Sequence, residues 1–128
     1  IPDTVYKQYS MIFSQNKSDT RAHERITLRT QATVLLSDSK TIKVRTLDIA
    51  LGGMAIVADG NPNSGVIFNI RLALPLRSDT PPPFEAKVRV AHSVLSGKEG
   101  GFKIGLQFIE LSDAAKFVLE QFLEQNSK

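Results

Sequence analysis

From Ile26 onward, apolar residues return at every second position in one run after another, the pattern of strands with a single buried face. Ile26, Leu28, Ala32, Val34 and Leu36 share one face, and Arg29, Gln31 and Thr33 the other, which predicts a half-buried first strand. Ser37-Asp38-Ser39-Lys40 reads as a turn. Ile42, Val44 and Thr46 resume the alternation until Leu47 and Ile49 shift its phase, predicting a bulge or bend beside Asp48. Met54, Ile56 and Ala58 form a short third strand, closed by the turn-rich segment from Asp59 to Gly65. Phe68, Ile70, Leu72, Leu74 and Leu76 give the clearest strand, ended by a triple-proline segment that cannot feed a central ladder. Phe84, Ala86, Val88 and Val90 follow, then a Gly-rich turn, then Phe102, Ile104, Leu106 and Phe108.

Six strands in meander-like order predict a mainly β fold, a six-stranded antiparallel barrel, because closure removes exposed edges in a short chain. The period then changes. Ser112 is placed to cap, and Ala115, Val118, Leu119, Phe122 and Leu123 recur at helical spacing, so a C-terminal α-helix of roughly three turns covers one barrel opening. Residues 1–20 read differently. Tyr6, Tyr9, Met11, Ile12 and Phe13 precede a polar stretch, which gives an N-terminal lead-in and linker at 1–20 and a barrel domain at 21–128.

The composition narrows the chemistry. At 128 residues and 41% hydrophobic the chain suits one domain with a sizeable core. With no Cys and two His, a disulfide framework or thiolate metal site is excluded and a zinc centre is not expected. No apolar run approaches the ~20 residues that cross a bilayer as a helix. A net charge of +3 favours anionic ligands but is too small for a duplex nucleic-acid surface. No Gly-x-Ser-x-Gly, Walker loop or paired carboxylate motif is present, so the expectation is a protein that is not an enzyme and uses no cofactor.

Two short patches carry the candidate chemistry: Arg21-Ala22-His23-Glu24-Arg25, and Asp48-Ile49-Ala50-Leu51-Gly52-Gly53. Guanidiniums four residues apart can each fork onto phosphate oxygens or onto O6 and N7 of guanine. A carboxylate accepts from the opposite edge of that base, and Gly52 and Gly53 allow close backbone approach or positive φ. Each patch also has a plainer reading, a solvated basic face and a simple turn.

The combination resembles the PilZ family of bacterial cyclic di-GMP receptors, whose signature is Arg-x-x-x-Arg followed by Asp/Asn-x-Ser-x-x-Gly. Here it reads Arg21, Arg25, then Asp48, Ala50 and Gly53, and Gly105-Leu106-Gln107-Phe108 is similar to the family's last strand. The resemblance implies a cytoplasmic cyclic di-GMP sensor that reorders its N-terminal segment on binding. It would signal through a protein partner in motility, polysaccharide or adhesion machinery. Arg21, Arg25, Asp48, Ala50 and Gly53 would be the ligand residues, with Thr20, His23, Arg45, Gly52 and Arg71 as secondary candidates. Two positions depart from the pattern: Ala50 replaces a Ser hydroxyl, and Ala22 stands where many members carry another Arg. These departures support a second reading, an interaction module that has lost nucleotide binding. A third, a barrel for single-stranded nucleic acid, wants aromatics on an exposed face, whereas Phe68, Phe84, Phe102 and Phe108 keep the core phase. His92 also keeps that phase and is expected to face inward or lie at the rim.

Overall fold

The computed structural model describes residues 24–77 and 83–126. Among the described residues, seven strands, β1 (Ile26–Thr27), β2 (Gln31–Leu35), β3 (Thr41–Ala50), β4 (Gly53–Ala58), β5 (Ile67–Ala73), β6 (Pro83–Ser96) and β7 (Gly101–Leu111), precede one helix, α1 (Asp113–Asn126). Every pairing is antiparallel. The order β3-β2-β5-β6-β7-β4 closes on itself through the β3–β4 pairing, so six strands form the barrel and the two residues of β1 lie against the C-terminal end of β3. The six-stranded barrel with a C-terminal helix is therefore as the alternation implies.

The predicted first strand is two. Leu28 still points into the core, but Thr30 breaks the ladder, and the chain steps from the end of β3 to its middle between β1 and β2. The buried Thr46 organises that step. Its hydroxyl donates to the Leu28 carbonyl oxygen and accepts from the Thr30 N–H, while the Thr46 N–H donates to the Thr30 carbonyl oxygen at 2.8 Å. A polar side chain in a barrel core is tolerated because its hydrogen bonds are made.

Inward residues of all six barrel strands form one core, including Val34, Val44, Ile56, Ile70, Val88 and Ile104, with Phe84 fully buried and edge-to-face against Phe108 at 5.7 Å. Ala115, Val118, Leu119 and Phe122 of α1 join this core, closing one end of the barrel. The helix is a turn longer than its apolar spacing suggests. Ser112 caps it as expected, its hydroxyl accepting from the Ala115 N–H at 3.0 Å. The opposite end carries the β2–β3 turn and the tip of the long β6–β7 hairpin, where Leu95 overshoots the barrel and is largely exposed.

Replacing Thr46 with Val keeps the shape but leaves the Leu28 carbonyl and Thr30 N–H without their side-chain partner. Urea denaturation is expected to show a loss of about 1–3 kcal/mol, and Thr46→Ser, which keeps the hydroxyl, a smaller one.

Candidate functional site

Strand parity would bury Asp48. Val44 and Thr46 face inward, and an unbroken strand would carry Asp48 and Ala50 to the same side. One extra residue prevents it. Thr46 lies opposite Ile56 and Asp48 opposite Ala55, so Leu47 is the extra residue, buried against Ala55 and Val57, Ile49 turns into the core, and Asp48 and Ala50 come to the outer side of the sheet, Asp48 partly exposed and Ala50 buried. The bulge expected from the phase shift is there, and its effect is to aim the carboxylate outward.

A second bulge does the same for β6. Val90 lies opposite Leu106 and His92 opposite Gly105, which leaves Ala91 as the extra residue. His92 therefore faces outward, contrary to the inward or rim position its phase suggests. Its ring lies over Gly105, where a Cβ would collide with it. Across β3, β4, β7 and β6 the register now reads Asp48, Ala55, Gly105, His92, and one pair further along Ala50, Gly53, Gln107, Arg89. Small residues thus floor a trough of about 720 Å³, with Asp48 on one side and His92 on the other, and with Lys103 and Gln107 along it.

Arg25 closes the Asp48 side. Ile26 and Thr27 of β1 lie opposite Ile49 and Asp48, so the chain is delivered to the trough edge with Arg25 beside the end of β3. Its Nε and Nη2 donate to Asp48 Oδ1 at 2.9 and 2.7 Å, with the two side chains 47% and 27% exposed. An ion pair this open is worth about 0–1 kcal/mol, so an incoming polar group can part it at low cost.

Gly53 is required for a different reason from the one its sequence suggests. Neither Gly52 nor Gly53 has positive φ; a Cβ on Gly53 would strike the carbonyl oxygen of Leu106, so the close β4–β7 approach excludes any side chain. Gly52 has open space around it.

Arg25, Asp48, Ala50, Gly52 and Gly53 thus surround one depression. Thr20, Arg21, Ala22 and His23 lie outside the described residues. Arg45 and Arg71 are elsewhere. Arg71 pairs with Glu85 at 3.0 Å on the outer face of β5, and Arg45 donates from Nη2 to the Glu99 carbonyl oxygen at 2.6 Å. His92, Lys103 and Gln107 were not legible as site residues, because only the second bulge and the β4–β7 pairing bring them to the trough.

A further ion pair holds the trough's surroundings. Arg29, in the step after β1, reaches the hairpin tip and donates from Nη1 and Nη2 to the two carboxylate oxygens of Glu99 at 3.3 and 3.2 Å. That hydrogen bonding holds the Glu99 carboxyl below its usual range, and the hydrogen bond to Glu99, followed by its charge, raises Arg29. The segment leading from Arg25 is thereby tied to the hairpin that carries His92.

Over residues 19–125 the chain matches the family model of the PilZ domain. The chain belongs to the PilZ domain family. Its fold is shared by solved structures of low sequence identity. The Bacillus subtilis inhibitor of motility, MotI/DgrA, has TM-score 0.69 and 18% identity over 79% of this chain and 48% of that one, so this chain spans about half its length. The PilZ domain of YcgR from Escherichia coli, solved with c-di-GMP, has TM-score 0.58 and 18% identity over 80% of this chain and 88% of that one. The K. pneumonia MrkH–c-di-GMP complex has TM-score 0.59 and 14% identity over 80% and 50%. No curated protein shows significant similarity to the chain. In this PilZ domain the second signature patch is built on a bulged strand end, and Arg25 of the first is brought to it by β1.

The lowered Glu99 value carries a sign. A carboxyl depressed in the folded state contributes its stability fully above its ordinary range, near pH 4.5, and loses it as pH falls through the lowered value. Glu99→Gln is expected to lower the melting temperature at neutral pH and to show a smaller further drop on acidification than the parent chain, as followed by circular dichroism.

Proposed function

We propose that this PilZ domain is a cyclic di-GMP receptor without catalytic activity, whose ligand lies in the trough between Arg25 and His92. The observation that carries the reading is the Arg25–Asp48 pair facing a floor made of Ala50, Gly53, Ala55 and Gly105. Guanine offers both partners a replacement. Its O6 and N7 accept from a guanidinium, and its ring N–H and exocyclic amine donate to a carboxylate, so the base exchanges one ion pair for two sets of charge-assisted hydrogen bonds. The flat floor admits a ring, and His92 offers a second ring to pack against it. Lys103 and the neighbouring Arg89 add positive charge for the phosphates.

Arg21 joins Arg25 on the phosphates or the guanine edge in this reading, and bringing both to the trough orders the chain before Glu24. The output is a changed surface for a protein partner, in a bacterial cytoplasm, with no chemistry performed on the ligand. The YcgR and MrkH structures were solved with c-di-GMP, which supports the ligand class. Ala50 favours the second reading, an interaction module without nucleotide. One hydrogen bond is a modest loss, however, about 0.5–1.5 kcal/mol or roughly two- to tenfold in affinity.

Calorimetry with cyclic di-GMP, and with GTP and cyclic di-AMP as controls, tests this. Arg21→Ala and Arg25→Ala are each expected to remove most of the binding heat with the far-ultraviolet dichroism unchanged; unaltered affinity in both overturns the reading. His92→Ala is expected to weaken binding roughly two- to tenfold through lost ring contact. Ala50→Ser is expected to strengthen it by a similar factor.

A further inference from the structure

The wall of the trough has a second side. Arg25 faces Asp48, whereas its neighbours Glu24 and Ile26 line a separate groove of about 360 Å³ against α1. The β3–β4 turn divides in the same manner: Ala50, Gly52 and Gly53 line the trough, and Leu51 lines the groove. Two short pieces of chain, 24–26 and 50–53, therefore form a common partition. On the helix, Phe117, Glu120, Gln121 and Glu124 make an i, i+3, i+4, i+7 stripe along the groove, and Phe117 is 62% exposed. The groove has an apolar floor and an acidic rim.

We infer that this groove holds the apolar segment Val5–Phe13 of the same chain, and that occupation of the trough weakens its hold. Three observations select that occupant. The chain enters the groove at Glu24, so residues 14–23 are a ten-residue tether, which spans at most about 35 Å and returns to α1 with length to spare. The segment supplies what the floor lacks: Val5, Tyr6, Tyr9, Met11, Ile12 and Phe13, with Lys7 as its single basic residue to meet an acidic rim. A short tether also gives a local concentration on the order of millimolar, so a small groove is filled by its own chain before a free partner of equal affinity.

The coupling follows from the partition and rests on the nucleotide reading. Ligand contacts at Arg21 and Arg25 commit residues 21–25 to the trough side. Only residues 14–20 then remain to lead Val5–Phe13 back over the partition, which lowers its occupancy of the groove. Groove and trough compete for one tether.

The chain has no cysteine, so an engineered pair reports proximity without interference. In the full chain, Met11→Cys with Gln121→Cys is expected to form an intrachain disulfide under mild oxidation at least tenfold faster than Met11→Cys with Lys43→Cys. Lys43 lies seven residues along β3 from Ala50, the neighbour of Leu51, roughly 23 Å away. Adding Phe117→Ser to the first pair is expected to slow it at least threefold, with helix content unchanged by circular dichroism. Equal rates for the two pairs overturn the docking. Disulfide-linked dimers on a denaturing gel overturn it too, in favour of a second copy as the occupant. Saturating cyclic di-GMP is expected to slow disulfide formation in the M11C/Q121C chain at least threefold. Binding by calorimetry with no change in that rate overturns the coupling. No binding, with the fast intrachain bond retained, overturns the nucleotide reading and leaves the docking standing.

Discussion

Strand parity in a closed barrel governs this molecule. Successive side chains alternate between core and solvent, and a closed sheet has no edge at which that alternation can be relaxed. A charged group on a core-phase position must therefore be turned outward by a change in backbone register. Leu47 and Ala91 supply that change as single extra residues, and the trough is the surface lying between them. Thr46, next to the first bulge, commits its hydroxyl to Leu28 and Thr30, so the same irregularity that exposes Asp48 also fixes the step from which Arg25 is presented.

Charge is arranged around that geometry with little excess. Arg25 and Asp48 satisfy each other, Arg29 and Glu99 join the β1–β2 step to the hairpin tip, and Arg71, Lys87 and their carboxylate partners decorate the remaining outer faces. These exposed pairs add little to stability. Their importance is positional: one guanidinium and one carboxylate stand ready with complementary edges, and neither suffers a buried, unpaired charge when the other is taken away. The low cost of separating them is what suits the pair to exchange with a ligand.

The thinness of the partition between trough and groove gives the fold its second property. Consecutive residues of an extended segment point to opposite sides, so Glu24 and Arg25 belong to different surfaces although they are one residue apart. A rearrangement of this segment is therefore felt on both surfaces without any change in the barrel core, which is packed through Phe84, Val88 and Leu119 and has no reason to move.

Alternation and period alone determined the barrel, the helix and its Ser112 cap, because burying apolar faces is a local pattern summed over the chain. They also determined the bulge at Asp48, since Leu47 and Ile49 cannot both be accommodated by an unbroken strand. The signature patches were legible for a related reason: Arg25, Asp48 and Gly53 sit on adjoining strand ends whose order the sequence displays. Tertiary structure alone decided the rest. The break at Thr30 depends on a hydroxyl sixteen residues later, and Gly53 is dictated by a carbonyl on β7. The alternation of β6 points His92 inward or to the rim, because that strand by itself gives no sign of the extra residue at Ala91. That register is set by β7, where Gly105 leaves the space in which the imidazole lies, and the pairing between two strands has no trace in the alternation of either one.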